Sequence, residues 1–436
     1  MSSLLGPVTA AFKLPDLRRR ILFVFGMFAV YVVGLHIPVP YVNREAMKNL
    51  VEGGGLLNLF DMFSGGAFRR FSILAMGIMP YINASIIFQL LGIAWPRIAE
   101  LAKQGEAGRK AISQYTRWLT IFLAVLQATM TCAALQRYPV QGGGTILAAS
   151  GAALIPIIIT LTGGTCLLMW MGEQMTDKGI GNGVSLIIFV GIVARMPVDV
   201  IKTFEFWRTG NISWVSIFML AVIWLGTVAG IIYITKGERR ISIQSAKRVV
   251  GTKVYGGGSS YLPIRVNTAG VIPIIFAVAI AMLPGQIAQF MSSGPEGAAS
   301  LAGRIADLLN PDKYWFAAAM YFLLVVFFTY FYTAVTFNVA DVSDNLKKYG
   351  SFIPGIRPGR PTERHLDRVL SRITLAGALF LGVIALLSYY VPDITGVTTF
   401  TVVGGTSLLI LVGVALDTVQ QIEAHLVMRQ YEGFIR

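Results

Sequence analysis

The residue types that commonly perform catalysis or bind metals are scarce and widely spaced in this sequence. Its three histidines, His36, His365 and His425, are far apart along the chain. Both cysteines, Cys132 and Cys166, fall inside long apolar stretches, so neither a disulfide framework nor a metal site is indicated. We therefore expect no metal, no cofactor and no catalytic centre, which means that the chain is not predicted to be an enzyme.

A glycine-rich segment, Gly179-Ile180-Gly181-Asn182-Gly183, has a superficial similarity to a dinucleotide-binding loop. Such a loop follows a strand, whereas no strand is predicted before this segment and a long apolar stretch follows it. The sequence also lacks a phosphate-cradling glycine loop with its lysine. Since the sequence contains no recognisable residues for ATP hydrolysis, we expect any energy that the protein uses to be supplied by a partner protein.

Ionisable residues are rare inside the apolar stretches, where Arg195 and Asp417 are the main examples. Charged side chains are costly within a bilayer, and carriers that couple transport to protons or ions need such residues facing a cavity. The sequence therefore disfavours ion-coupled transport. For Arg195, the simplest expectation is that the side chain snorkels to the membrane interface.

The apolar stretches themselves predict an integral membrane protein. Hydrophobic residues make up 55% of the 436 residues and charged residues only 13%, with a mean hydropathy of +0.66. A membrane-spanning helix needs about 20 mostly apolar residues, because lipid cannot satisfy free backbone groups. Ten such spans are predicted, at residues 21–38, 73–93, 115–136, 152–172, 183–203, 212–234, 269–291, 313–337, 371–391 and 401–425.

The distribution of basic residues predicts the orientation of these spans. Lys and Arg are abundant in alternate gaps, beginning with Lys13 and Arg18–Arg20, and sparse in the others. We interpret the net charge of +14 as this topology signal rather than as a nucleic-acid-binding surface. The first apolar run is too long for a secretory signal and lacks a small-residue cleavage site, so we expect it to be retained. Both termini are then cytoplasmic.

Two of the basic gaps, at about 235–268 and 338–370, are unusually long for connectors. Each contains turn residues, such as Gly256-Gly257-Gly258 in the first and Pro354-Gly355 in the second. One interpretation is a pair of solvated loops that only maintain the topology. The other is a docking platform for an acidic or RNA-containing partner, because rigid turns would hold basic side chains away from the bilayer.

A short apolar segment at about 56–68 lies between the first two spans, on the predicted external side. Glycines bound it, at Gly53–Gly55 and at Gly65 and Gly66, where they could act as hinges. The segment is too short to cross a bilayer, so it predicts an interfacial or re-entrant helix.

Ten spans divide into two sets of five, and an odd number per set makes the second set inverted relative to the first. We therefore predict two halves, residues 1–203 and 204–436. Inverted halves place a functional path at their interface, near the membrane midplane.

Five groups of residues, in order along the whole chain, resemble motifs of the SecY family. They are Gly77–Ile86, Gly172–Gln174 with Gly179–Gly183, Gly270–Pro273, Phe352–Gly359 and Val403–Ile410. The resemblance implies an all-α membrane protein whose ten transmembrane helices form two inverted five-helix halves around an hourglass pore, with a short re-entrant plug helix. It also implies a channel that translocates unfolded preproteins across the plasma membrane and inserts membrane proteins through a lateral gate between spans 2 and 7.

The resemblance assigns functional positions in three groups. A ring of apolar side chains would close the pore at Ile78, Ile82, Val184, Ile188, Ile275 and Ile410. The plug would be the short apolar segment, with Leu57, Leu59, Phe60, Met62, Phe63, Gly65 and Gly66. The lateral gate would carry two helix-interrupting prolines and three polar residues, namely Pro80, Pro273, Asn83, Asn267 and Thr268.

The ring assignment also has support from spacing. Ile78 and Ile82 are four residues apart, as are Val184 and Ile188, so each pair shares one helix face. An apolar ring is expected to exclude water when closed and to offer no charge that binds an ion.

The resemblance further implies several partners. SecE would clamp the two halves from behind and SecG would lie at the periphery, within membrane lipid. The SecA motor and the ribosome would bind the basic cytoplasmic loops, for which the candidate residues are Arg239, Arg240, Lys247, Arg248 and Arg357. Signal peptides and nascent or secretory polypeptides would be the substrates, at a bacterial inner membrane.

Two other functions are left open by the residues. A ten-span carrier for a small apolar or zwitterionic solute predicts saturable uptake by the purified chain in liposomes. An intramembrane enzyme would need a nucleophile and a base clustered at one depth, and the sequence offers no such cluster.

Overall fold

Long helices dominate the structure. The computed structural model describes residues 11–52, 60–61, 63–137, 145–149, 151–245, 248–250, 253–255, 259–291, 308, 314–397 and 405–435. The long helices are α1 (Pro15–Gly34), α4 (Met79–Ala94), α6 (Glu106–Arg137), α7 (Leu154–Lys178), α8 (Gly183–Arg208), α9 (Trp214–Lys236), α10 (Ile272–Met291), α11 (Trp315–Thr336), α13 (Arg360–Thr395) and α14 (Gly405–Ile435). The shorter ones are α2 (Arg44–Glu52), α3 (Ala67–Arg70), α5 (Pro96–Lys103) and α12 (Val339–Lys348).

Some helices begin at a polar residue whose side chain satisfies free N–H groups of the first turn. The Asn182 side chain accepts hydrogen bonds from the backbone N–H of Val184 and Ser185 at the start of α8. Ser213 and Asn338 cap α9 and α12 in the same way. Such a cap is worth about 1 kcal/mol, so these polar residues fix where each helix starts.

The described helices confirm a multi-spanning membrane protein. Among the described residues, seven helices are long and apolar enough to cross a bilayer, and they correspond to α6, α7, α8, α9, α11, α13 and α14. An eighth is reached if α4 and α5, which meet at a bend of 100°, count as one span. The remaining predicted spans coincide with α1, which carries four charged residues near its start, and α10, whose apolar part is short.

The two long basic gaps are more ordered than sequence analysis indicates. In the first, strand β1 (Glu238–Ser245) pairs antiparallel with β4 (Ser259–Arg265), and β2 (Arg248–Val250) pairs with β3 (Lys253–Tyr255). In the second, β5 (Ser351–Phe352) adds to the other edge of β1. One three-stranded sheet therefore joins both gaps.

A small apolar core fixes this sheet to the membrane helices. Ile241 and Ile264 from the sheet pack with Ile353 and with two leucines of α13, Leu366 and Leu370. Both gaps are therefore packed against the start of α13.

One large apolar core links the two predicted halves. It contains buried residues of α4, α7 and α8 together with residues of α10, α11, α13 and α14. Helix α8 packs against α14, and α4 packs against α10. The boundary predicted after Thr203 falls inside α8, which continues to Arg208.

Candidate functional site

The six positions assigned to the ring all belong to the large apolar core or pack against it. Ile78 and Ile82 are at the start of α4, Val184 and Ile188 are at the start of α8, and the other two are on α10 and α14. Five of the six are buried in this core, with exposed fractions of 0% to 5%, and they are Ile78, Ile82, Ile188, Ile275 and Ile410. The sixth, Val184, is partly buried and packs against the core. Four helices from both halves therefore contribute uncharged side chains to one buried cluster.

A polar cavity of about 310 Å³ lies one helical turn away from this cluster. Ser185 and Val414 line it, and these residues are three and four positions from Ile188 and Ile410 on the same helices. Asp417 and Arg265 also line the cavity, which explains why an ionisable residue is tolerated in α14. A cavity with mostly polar lining residues therefore lies next to the apolar core.

The described residues of the short apolar segment pack into the same apolar core. Leu57, Leu59 and Met62 lie outside the described residues. Phe63 is 3% exposed and belongs to the same apolar core as the ring positions, while the half-buried Phe60 packs against it. The described part of this segment is therefore folded inward, as expected for a re-entrant helix.

A contact between two glycines joins this segment to α8. A Cβ atom on Gly65 would lie 2.8 Å from the Cα of Gly191 and 2.8 Å from the hydroxyl of Tyr31. Gly65 and Gly66 also have positive φ angles of 70° and 82°, which L side chains rarely adopt. Glycine is required at Gly65 for both reasons.

Hydrogen bonds hold the backbone of the segment around Ser64. The Tyr31 hydroxyl on α1 donates to the Ser64 carbonyl at 3.1 Å. The Ser64 hydroxyl donates to the Asp61 carbonyl at 3.1 Å and accepts from the N–H of Phe68 at 3.2 Å. Residues 60, 61 and 63–70 are thus attached to α1 and α8.

A buried ionic cluster, formed by Asp61, Arg69, Arg195 and Asp199, is the main feature that sequence analysis missed. Nη1 of Arg195 lies 3.1 Å from Oδ2 of Asp61, and Nε of Arg195 lies 3.5 Å from Oδ2 of Asp199. Nε of Arg69 lies 3.8 Å from Oδ2 of Asp61, whose Oδ1 accepts from the Arg69 backbone N–H at 2.8 Å. Asp61 is fully buried and the other three are at most 9% exposed.

The expectation that Arg195 snorkels to the membrane interface is therefore wrong. Its side chain points into the protein, because two carboxylates there offset the cost of burying its charge. The spacing of Arg195 and Asp199, four residues apart on one helix, is the sequence signal that could have indicated this. Asp61 has no comparable signal, since its partner is distant in sequence.

The predicted gate helices are in contact, but their prolines have a different role from the one predicted. Helix α4 packs against α10. Pro80 and Pro273 are each the second residue of their helix, so they begin α4 and α10 instead of interrupting them. The proline inside α10 is Pro284.

The polar residues assigned to the gate mostly shape the turn before α10. The Asn267 side-chain amide donates to the Gly270 carbonyl at 3.1 Å, and the Thr268 hydroxyl donates to the Arg265 carbonyl at 2.8 Å. Asn83 is half-buried in α4.

The basic residues predicted to bind cytoplasmic partners are largely exposed. Arg239, Arg240 and Arg357 are on the surface, Lys247 lies outside the described residues, and Arg248 begins β2. The Arg240 guanidinium donates to Oε1 of Glu238 at 2.6 Å and lies 4.9 Å from the ring centre of Tyr261. The hydrogen bond with Glu238 raises the pKa of Arg240 above its ordinary value, so its charge is permanent.

Comparisons with known proteins agree with this geometry. A model of the SecY family matches residues 72–419. The protein translocase subunit SecY of Streptomyces scabiei is 43% identical over 98% of this chain and 98% of its own length.

Solved structures share the fold at low sequence identity. A structure described as that of a protein conducting channel superposes with a TM-score of 0.69 at 17% identity, covering 93% of this chain and 92% of its own. Sec61 from a canine ribosome-channel complex gives a TM-score of 0.66 at 16% identity, covering 93% and 92%. Since the family model covers most of the residues and the similarity to a relative extends along almost the entire length, the chain belongs to the SecY family.

Proposed function

We propose that this chain is the pore-forming subunit of a protein-conducting channel, which translocates unfolded preproteins across the bacterial plasma membrane. It is a channel subunit and not an enzyme. Family membership favours this function over the solute carrier and the intramembrane enzyme.

The single observation that carries the proposal is the buried apolar cluster beside a polar cavity. The ring positions come from four helices, and the side chains at these six positions carry no charge that could bind an ion. A narrow apolar constriction excludes water when it is closed. It can also surround an extended polypeptide without selecting its sequence.

In this proposal two elements move when the channel opens, namely the short segment and the pair of helices α4 and α10. The segment is the plug, comprising about 56–68, and it closes the external side of the ring. Separation of α4 from α10 opens the lateral gate, through which hydrophobic segments and signal peptides pass into membrane lipid. The contact of α4 with α10 and the inward packing of Phe60 and Phe63 support a closed channel.

The sheet formed by both basic gaps is the docking surface for cytoplasmic partners. We assign Arg239, Arg240, Lys247, Arg248 and Arg357 to it. The ribosome would be bound through RNA phosphates, with an affinity that falls as salt rises. The SecA motor would use the same face, while SecE and SecG would bind the membrane-embedded surface.

This assignment places both termini in the cytoplasm. The rigid basic sheet and the basic start of α1 would then be on the same side of the membrane, as the excess of Lys and Arg in cytoplasmic loops requires.

Crosslinking of a stalled secretory chain tests the pore. Single cysteines are introduced as Ile82→Cys, Ile188→Cys and Ile410→Cys, after both native cysteines are replaced by alanine. Each should crosslink to the stalled chain. Phe218→Cys on α9, where the native side chain is 69% exposed, is the control and should react with lipid probes only. If all three ring positions behave like the control, the pore is elsewhere.

A further inference from the structure

The buried ionic cluster joins the short segment to a membrane helix. Asp61 and Arg69 belong to the segment and its continuation α3, whereas Arg195 and Asp199 belong to α8. The contact from Arg195 to Asp61, at 3.1 Å, crosses between them. The cluster therefore opposes any movement of the segment away from α8.

Each side of the cluster contributes one acid and one base, with Asp61 and Arg69 on the segment side and Arg195 and Asp199 on the α8 side. If the segment leaves, Asp61 keeps Arg69 as a partner and Arg195 keeps Asp199, at the observed 3.8 Å and 3.5 Å. A buried charge that loses every partner is strongly unfavourable. This cluster avoids that cost, because it separates into two neutral pairs.

Two backbone contacts accompany the ion pair, namely one tyrosine hydrogen bond and one close approach between two glycine backbones. The remaining attachment is apolar, through Phe63 in the large core and Phe60 against it. The crossing ion pair is thus the specific and directional part of the attachment.

We propose that Asp61 and Arg195 form a reversible latch that holds the segment in its closed position. This inference rests on the proposed function, because it takes the segment to be the plug of a channel. Arg69 and Asp199 act as the resting partners that receive the two charges when the latch opens. The strength of the Asp61–Arg195 contact then sets how often the channel opens without a substrate.

Ion conductance of the assembled channel in planar bilayers tests the latch. Asp61→Asn removes a charge at constant shape and should raise the leak through the resting channel by about tenfold or more. Arg195→Gln should do the same. Because both changes remove the same contact, the double variant should leak no more than the leakier single variant. If the leak of the double variant instead equals the product of the two single effects, Asp61 and Arg195 act independently and the proposed coupling between them is wrong.

Asp199→Asn is the matched control. It keeps the contact between the segment and α8 but removes the carboxylate that receives Arg195 when the segment leaves, so the resting leak should not rise above that of the unmodified channel. If Asp199→Asn leaks as much as Asp61→Asn, the cluster supports the fold in general and is not a latch. Where Arg195→Gln fails to assemble, Arg195→Met, which also removes the charge, takes its place in the cycle.

Deletion of residues 57–68 separates failure of the latch from failure of the proposed function. The deletion should give the maximum leak from an assembled channel. If the deletion leaks and Asp61→Asn does not, the plug assignment stands and the latch is wrong. If the deletion itself does not leak, the segment seals nothing, and both the plug assignment and the latch are wrong.

Discussion

The backbones of Gly65 and Gly191 touch where the short segment meets α8, since a Cβ atom on Gly191 would lie 3.3 Å from the Cα of Gly65 and 2.9 Å from the Tyr31 hydroxyl. The segment can approach α8 this closely only because neither residue has a side chain. Such contacts respond to the addition of a single methyl group, because protein interiors are close-packed.

Gly191→Ala should therefore weaken the closed position of the segment. Overpacking of this kind costs about 1–3 kcal/mol, and we expect a raised resting ion conductance in planar bilayers. Gly226→Ala on α9 is the control, because a Cβ at that position meets nothing within 4 Å. Equal conductance of the two variants would show that the close approach is unimportant for sealing.

A polar side chain in the ring should let water and ions through. Ile410→Ser places a hydroxyl in a fully buried apolar position, which favours wetting of the constriction. We expect a higher resting conductance, measured for the assembled channel. Ile159→Ser on α7 matches the chemistry at a position that is 64% exposed, and it should have no effect. A leak of the same size from Ile159→Ser would point to general destabilisation.

The positions of the helices could be predicted from the sequence, because lipid leaves the chain few alternatives to long apolar helices. A helix coincides with each predicted span, although α4 and α10 begin later than expected. The residues before them form turns, and proline at the second helical position explains the delayed start.

The sheet and the ionic cluster were missed for two different reasons. Ile241 and Ile243 alternate with polar residues in β1, a pattern of period two that indicates a strand and was available in the sequence. The pairing of Arg195 with Asp61 was not available, because it depends on how a segment from one part of the chain packs against a distant helix. The ring positions could be assigned only through family resemblance, since an isoleucine in a membrane helix is common in any role.

The basic residues of the proposed docking surface should contribute more to the export of secretory proteins than to assembly of the channel. Arg357→Glu reverses an exposed charge, so we expect motor-driven export of a secretory substrate to fall while the amount of assembled channel stays unchanged. Arg208→Glu, an exposed arginine at the end of α8 on the predicted external side, should leave export intact. Parallel loss of export and assembly in Arg357→Glu would instead indicate misfolding.

Neighbouring glycines in α7 offer a test of helix packing that does not depend on function. A Cβ on Gly164 would clash with the carbonyl oxygen of Ile73, whereas a Cβ on Gly163 meets nothing within 4 Å. Gly164→Ala should therefore destabilise the channel by about 1–3 kcal/mol, because the backbone of residue 73 must move. Gly163→Ala should be neutral or slightly stabilising, since alanine favours a helix by up to about 1 kcal/mol over glycine. Thermal unfolding of the purified protein compares the two, and a lower Tm for Gly163→Ala than for Gly164→Ala would contradict the packing of α7 against the turn before α4.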